Sequence, residues 1–214
     1  MDKCSNTCNY RIFAINPDFT QNLIGIITTS FADTASGIST INSIVETANN
    51  LIIDSSLIVR NENMSPVEFK AQIKESERII SVAAKYTRNA VQLKACTPEG
   101  KQKHKIIITG ETYDNESLIY VLPCFLKQGI THKEFWICNC LNGSYARVKF
   151  EVVGCEKLDT GGRDLEVIRT RVSSIESKAP DQYFIFANDA PHNFLKSVTG
   201  LQVIEIESLQ SQER

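Results

Sequence analysis

The spacing of apolar residues between positions 31 and 52 places the strongest constraint on what this chain can fold into. Seven apolar or small side chains follow one another there at alternating intervals of three and four residues: Phe31, Thr34, Ile38, Ile41, Val45, Ala48 and Ile52. This interval matches the turn of an α-helix, whereas strand side chains alternate every two residues. The segment is therefore predicted to form one long helix, interrupted near Gly37.

The segment Ser65-Pro66-Val67-Glu68 has the form of a helix start. A serine can accept backbone N–H bonds, proline is favoured at the first helical position, and a glutamate three residues after the serine can bond back to it. The apolar residues that follow predict a second helix, which ends before Thr97-Pro98. Because the loop between the two helices is short, they should form an antiparallel hairpin. Residues 1–100 are thus predicted to hold a short strand at 9–15 and a long helical hairpin.

After Gly100 the pattern changes to alternating strands and helices. Asp114 is a candidate cap for a helix with Leu118, Leu122 and Phe125 on one face, in which Pro123 should cause a kink. Together with the neighbouring segments this order predicts a ferredoxin-like (βαββαβ) domain over residues 101–208 and an α+β fold for the whole chain. The other predicted elements are strands at 104–109, 134–141, 144–153, 182–187 and 201–206, helices at 163–177 and 194–198, and a polar tail at 209–214.

The dipeptide Asn142-Gly143 is a strong signal for a two-residue hairpin turn. A turn centred there would pair Cys140 with Tyr145 and Cys138 with Arg147. One face of the predicted hairpin then carries Trp136, Tyr145, Arg147 and Lys149. This face is open to three interpretations: the helical hairpin covers it, another protein docks on it, or single-stranded nucleic acid stacks on it. Residues 145–150 partly match an RNA-recognition pattern, but Arg147 stands where a stacking ring is needed.

Charge and cysteine usage narrow the class of protein. The 214 residues carry a formal charge of −2 and seven cysteines. A slightly acidic chain has no overall attraction to nucleic acid or anionic membranes, so nucleic acid is an unexpected partner. The odd, scattered cysteines are expected to be reduced. The first residues do not resemble a signal peptide, and no apolar run reaches the ~18 residues of a membrane span. A soluble, cytoplasmic protein is expected.

Three groups of residues are weighed for chemistry. Asp189 and His192 lie together after a predicted strand, where α/β folds place catalytic groups, and they are weak candidates for a small hydrolase or transferase. Gly161, Gly162 and Arg163 precede a predicted helix and are weak candidates for an anion site. Cys138 and Cys140 lack the paired spacing of a zinc site, so neither a metal nor another cofactor is expected.

The function predicted from these patterns is a non-enzymatic binding or assembly protein of adaptor type. Its partner would be another protein or a second copy of the chain, in which case it is an oligomer. The predicted contacts are Ile38 and Ile41 on the helical hairpin and the aromatic sheet face around Trp136. The hydrolase or transferase, and single-strand nucleic-acid binding on the sheet face, are the alternatives.

Overall fold

The described residues fold into one large, curved sheet with a single α-helix. The computed structural model describes residues 5–33, 36–159 and 164–207. A single 3₁₀ turn, Asn115–Ser117, precedes the helix. The elements are β1 (Ser5–Ile15), β2 (Gln21–Asp33), β3 (Ile38–Thr47), β4 (Leu51–Arg60), β5 (Pro66–Glu75), β6 (Arg78–Tyr86), β7 (Ala90–Thr97), β8 (Gly100–Ile107), β9 (Thr112–Asp114), α1 (Leu118–Lys127), β10 (His132–Asn139), β11 (Ser144–Asp159), β12 (Asp164–Ser174), β13 (Gln182–Ala187), β14 (Phe194–Thr199) and β15 (Gln202–Ile206).

Strands that are neighbours in the sheet are also consecutive in the chain, except where β1 pairs with β15. The sheet runs β8-β7-β6-β5-β4-β3-β2-β1-β15-β14-β13-β12-β11-β10-β9. Nearly all neighbours are antiparallel, and β9 with β10 is the parallel pair. The first and last strands pair in the middle of the order, with Tyr10 opposite Ile206. The two ends of the sheet, β8 and β9, are therefore consecutive in the chain.

The predicted helical hairpin is wrong, and so is the α+β class. Residues 21–33 and 38–97 form six antiparallel strands joined by short turns. The region is rich in isoleucine, valine and threonine, whose β-branched side chains favour strands over helices. Turn residues also recur there at the interval of a hairpin; Asn50, for example, has a positive φ of 62° between β3 and β4. Ser65 begins no helix, because Pro66 is the first residue of β5.

The ferredoxin-like prediction is wrong for the same reason. The segments predicted as helices at 163–177 and 194–198 contain β12 and β14. Several local predictions are confirmed: a helix that ends at Lys127, with Asp114 capping the 3₁₀ turn before it, and a hairpin at Asn142-Gly143. The strands predicted at 9–15, 182–187 and 201–206 are also present. Pro123 does not divide α1, which runs through it.

The register of the β10–β11 hairpin differs from the prediction by two residues. Cys138 pairs with Tyr145 and Trp136 pairs with Arg147, because residues 140–143 form a longer turn. A shift of two residues keeps every side chain on its predicted face, since strand side chains alternate with a period of two. Trp136, Cys138, Tyr145 and Arg147 therefore share a face as predicted.

Helix α1 lies against the concave face of the sheet. Its buried residues are Leu118, Val121, Leu122 and Phe125. Phe125 makes edge-on ring contacts with Tyr113, Phe135 and Phe150 of β9, β10 and β11. On another side of the helix, Tyr120 stacks on Phe31 of β2 with ring centroids 5.2 Å apart. The helix thus packs against strands from both halves of the sheet and joins them into one core.

The two ends of the sheet overlap. The side chains of Tyr113 and Phe135 point toward α1. Successive side chains of a strand point to opposite faces, so Asp114, one residue after Tyr113, and Cys138, three residues after Phe135, point away from α1. Both of these side chains are nevertheless buried, because the inner face of β6 and β7 covers them. The sheet therefore closes on itself, with β6 near one end meeting the outer face of β9 and β10 at the other end.

Candidate functional site

A buried polar cluster lies where the two ends of the sheet overlap. It consists of Tyr86, Asp114, Cys138 and Cys140, and is called here the overlap cluster. The Tyr86 hydroxyl donates a hydrogen bond to Asp114 Oδ2 and lies 3.1 Å from Cys140 Sγ. The two thiol sulfurs are 3.9 Å apart. Because Tyr86 belongs to β6 while the others belong to the second half of the chain, the cluster exists only in the folded protein.

Burial determines the electrostatics of the two carboxyls at the start of the 3₁₀ turn. Asp114 is 1% exposed, and burial raises its pKa. The hydrogen bonds that it accepts from Tyr86 and from the Glu116 backbone N–H act in the opposite direction. Burial, together with the nearby Asp114 charge, raises the pKa of Glu116 to about 7. Perturbed carboxyls of this kind are common at functional sites.

The two thiols of the overlap cluster differ in acidity. Their mutual hydrogen bond lowers the pKa of Cys138 and raises that of Cys140. Burial and the Asp114 carboxyl raise the pKa of Cys140 further. Cys138 is accordingly the thiol that ionises first, with Cys140 as the donor that stabilises its thiolate.

A cleft of about 460 Å³ opens beside the overlap cluster. This volume lies within the range of about 300–1,000 Å³ found for ligand pockets. Cys140 contributes to its floor, together with apolar side chains of β6, β7 and the β10–β11 turn. No acidic residue lines it. The lining residues are Val82, Leu93, Lys94, Ala95, Gln102, Lys103, His104, Cys140, Leu141, Asn142 and Gly143.

Strand β8 forms one side of this cleft and is a free edge of the sheet. The Ile108 N–H bonds to Asn89 beside β7, whereas the next N–H, that of Thr109, points away to the Tyr145 hydroxyl at 3.3 Å. Backbone groups alternate in this way along an edge strand. The N–H and C=O groups of Lys101, Lys103 and Lys105 therefore face outward, with no partner strand among the described residues.

The free edge is strongly basic. Lys101, Lys103 and Lys105 are exposed on β8, and Lys94 of β7 stands directly opposite Lys103. Like charges at directly opposite positions destabilise a sheet. Within the described ranges, none of these four lysines forms an ion pair, whereas Lys70 and Arg78 in the neighbouring strands do. No ion pair with a described residue therefore neutralises the positive charge at this edge.

The structure places the two predicted helical contacts in β3. Ile41 is 2% exposed and belongs to the core, so it is buried against its own chain. Ile38 begins β3 and is partly buried. These two residues do not form a common exposed surface.

The predicted aromatic face is largely occupied by the chain itself. Trp136 and Tyr145 stack on each other with ring centroids 4.6 Å apart and nearly parallel planes. Gly110 lies against the indole so closely that a Cβ there would be 3.0 Å from its Cδ1. Arg147 pairs with Glu134 at 2.6 Å, and Lys149 pairs with Glu151 at 2.5 Å. The rings and charges of this face thus have partners within the protein.

The Asp189/His192 turn shows no catalytic geometry among the described residues. The His192 backbone N–H bonds to the Asp189 carbonyl, and its ring Nδ1 lies 3.1 Å from the Ala187 carbonyl oxygen. The Asp189 side chain is exposed, and neither residue lines the cleft. The candidate anion residues Gly161, Gly162 and Arg163 lie outside the described residues.

No metal site is found in the part of the chain that the structure describes, where no three His, Cys, Asp or Glu side chains are grouped to hold an ion. Over the same residues, no helix is long and apolar enough to cross a membrane.

The sequence patterns predict Asp114 as a cap, place Cys138 and Cys140 in the Asn142-Gly143 hairpin and assign Tyr86 to a helix, but they do not connect these residues. No local signal relates Tyr86 to residues 28 and 54 positions away. The alternation of lysines with Gln102 and His104 over residues 101–105 is the one pattern that indicates an edge strand there.

The fold defines a β-barrel-like protein whose sheet encloses a helix. The crystal structure of a beta-barrel-like protein of domain of unknown function DUF1849 from Brucella abortus is similar, with a TM-score of 0.62. The similarity covers 94% of this chain and 93% of that chain, at 9% sequence identity. No family model matches the sequence, and no curated protein matches it significantly. The likeness concerns the fold alone.

Proposed function

We propose that this protein is a non-enzymatic binding protein that captures an extended, acidic segment of another protein along β8. The observation that carries the proposal is the free, un-neutralised basic edge beside an apolar cleft. This edge replaces the two contact surfaces predicted from the sequence. The helical surface does not form, and the aromatic face around Trp136 is occupied by other residues of the chain.

The backbone of β8 supports this mode of binding. Lys101, Lys103 and Lys105 present unpaired N–H and C=O groups in a row, and an added strand would pair with them. Strand addition obtains affinity from main-chain hydrogen bonds and specificity from pockets for alternate side chains. Residues of the added strand that point the same way as Gln102 and His104 would reach the mouth of the cleft.

Charge favours an acidic partner. Four lysines without ion pairs surround the free edge, and the cleft contains no carboxylate among its lining residues. Edge lysines also protect a strand from pairing with other chains. That role does not require Lys94, which belongs to the inner strand β7 and stands directly opposite Lys103 at an energetic cost. An acidic segment would offset this repulsion.

A peptide-binding experiment tests the proposal. The probe is an eight-residue labelled peptide of alternating glutamate and valine, which matches the length of β8. The Lys103→Pro variant removes an outward N–H without removing a bond to β7, whereas Lys103→Ala keeps the backbone and removes only the charge. We expect Lys103→Pro to weaken binding about tenfold relative to Lys103→Ala, as measured by fluorescence anisotropy.

The controls separate other partners from the proposed one. A matched peptide with lysine in place of glutamate should not bind, and added salt should weaken binding of the acidic peptide. Circular dichroism checks that both variants fold. Equal affinities of Lys103→Pro and Lys103→Ala would show that the edge is not used. Preferential binding of a single-stranded oligonucleotide, or self-association in light scattering that masks the edge, would also contradict the proposal.

A further inference from the structure

We propose that Cys138 and Cys140 form a redox-active pair that a peroxide converts reversibly into an intrachain disulfide. This inference is independent of the peptide partner proposed above. It rests on the separation of the two sulfurs, on the position of Cys140 at the cleft, and on the contacts that hold Cys140 in place.

The geometry of the pair permits the bond. The sulfurs are 3.9 Å apart and must approach to about 2.05 Å. Residues two apart in an extended strand have Cα atoms about 6.4–6.8 Å apart, at the upper end of the range of about 4.4–6.8 Å that disulfides span. Cys138 lies one residue before the end of β10, and Cys140 lies in the turn that follows the strand. A bond near this limit is strained and is therefore easily reduced.

The surroundings orient the two thiols differently. The Tyr86 hydroxyl contacts Cys140 and also donates to Asp114, so Cys140 is held between β6 and β10. Cys140 lines the cleft, while Cys138 is completely buried behind it. Hydrogen peroxide is small enough to enter a cleft of about 460 Å³ and to meet the Cys140 side chain that lines it.

The reaction consumes one peroxide and the two thiols. The Cys140 sulfur, which lines the cleft, attacks one peroxide oxygen and gives up its proton. The O–O bond breaks, and the leaving hydroxide takes up this proton, giving water and a sulfenic acid on Cys140. The Cys138 sulfur then attacks the Cys140 sulfur. The S–O bond breaks, and the second hydroxide leaves as water with the Cys138 proton. The pair loses two electrons and the peroxide gains them.

No other thiol pair of the described residues shares these features. Cys96 and Cys155 are exposed, and neither contacts a second sulfur. They react with alkylating agents and serve as internal controls. Oxidation of the pair moves the turn that carries Leu141–Gly143, which is a wall of the cleft. If the proposed peptide site is correct, peptide binding will depend on the redox state.

Mass spectrometry tests the pair directly. Trypsin cuts after Lys133 and Arg147, so both cysteines lie in one peptide that contains no others. The full chain is treated with one equivalent of hydrogen peroxide, the free thiols are alkylated, and the protein is digested. We expect this peptide to lose two hydrogen atoms and to escape alkylation, and dithiothreitol to restore both thiols. Cys96 and Cys155 should be alkylated throughout.

The Cys138→Ser variant shows what a single thiol does at this site. Its Cys140 should progress to the sulfenic and sulfinic acids, because no second thiol resolves the intermediate. If the wild-type peptide also carries a sulfinic acid, or keeps both thiols, the proposal is overturned. The wild-type measurement tests the redox pair even if the variant does not fold. Because no readout uses the acidic peptide, failure of this proposal is distinguishable from failure of the peptide-binding proposal.

Discussion

The residues that define the overlap cluster depend on one another for their protonation states. Asp114 is buried with Tyr86 as a hydrogen-bond donor, and Glu116 is close enough to respond to the Asp114 charge. A buried carboxyl prefers its neutral form unless donors compensate for the lost hydration. Asp114 has such donors in the Tyr86 hydroxyl and the Glu116 N–H, whereas burial and charge act in the same direction on Glu116.

Glu116 should make the stability of the protein depend on pH. Its pKa rises from 4.5 to about 7 on folding, so between these values the native state binds more protons than the unfolded state. The contribution of Glu116 to the free energy of unfolding is then greatest below pH 4.5 and is lost as the pH rises through about 7. In Glu116→Gln this decline should become shallower in a urea-unfolding series. Glu77→Gln, at an exposed turn, is the control; equal slopes for the wild type and Glu116→Gln would contradict the prediction.

Among the elements, α1 is the part of the fold that its own sequence specifies best. Asp114 accepts the Glu116 N–H as a cap, and the apolar residues recur with helical spacing through to Phe125. The strands from β2 to β7 contain the same interval of three and four by coincidence. A strand buries alternate residues and half-buries others, so its apolar residues can also match a helical spacing. The β-branched content and the short turns, and not the spacing of apolar residues, are the signals that distinguish these strands from helices.

The helix should contribute strongly to stability because it fills the concave face. Leu122 is completely buried at its centre, so Leu122→Ala leaves a cavity between α1 and the sheet. We predict a loss of about 2–5 kcal/mol in the free energy of unfolding, measured with urea. Leu126→Ala, at a partly buried position of the same helix, is the matched control and should lose less. A similar loss for both variants would show that α1 does not fill the interior as described.

At the scale of the whole molecule, long-range pairing of β1 with β15 and the central helix join the two halves of the chain. Because one continuous core includes strands from both halves, neither half buries its apolar face alone. Unfolding should therefore be a single cooperative transition. The fluorescence of Trp136, the only tryptophan, reports on the overlap, and far-ultraviolet circular dichroism reports on the entire sheet.

We predict that these two signals have the same midpoint in urea. The Leu122→Ala variant should shift both midpoints together. Fluorescence that changes at a lower urea concentration than circular dichroism would show that the overlap opens before the sheet unfolds, and that the halves are separate folding units.

The sequence by itself determined the local features: α1 with its Asp114 cap, the Asn142-Gly143 hairpin and its two faces, and the strand at 182–187. These depend on residues close in the chain, where capping and turn chemistry act. Only the tertiary structure decided that the first half is a sheet, that its end lies over β9 and β10, and that Tyr86 meets Asp114 and Cys140. The physical reason is that strand pairing and burial are satisfied by distant partners, and no short window of sequence contains both members of such a pair.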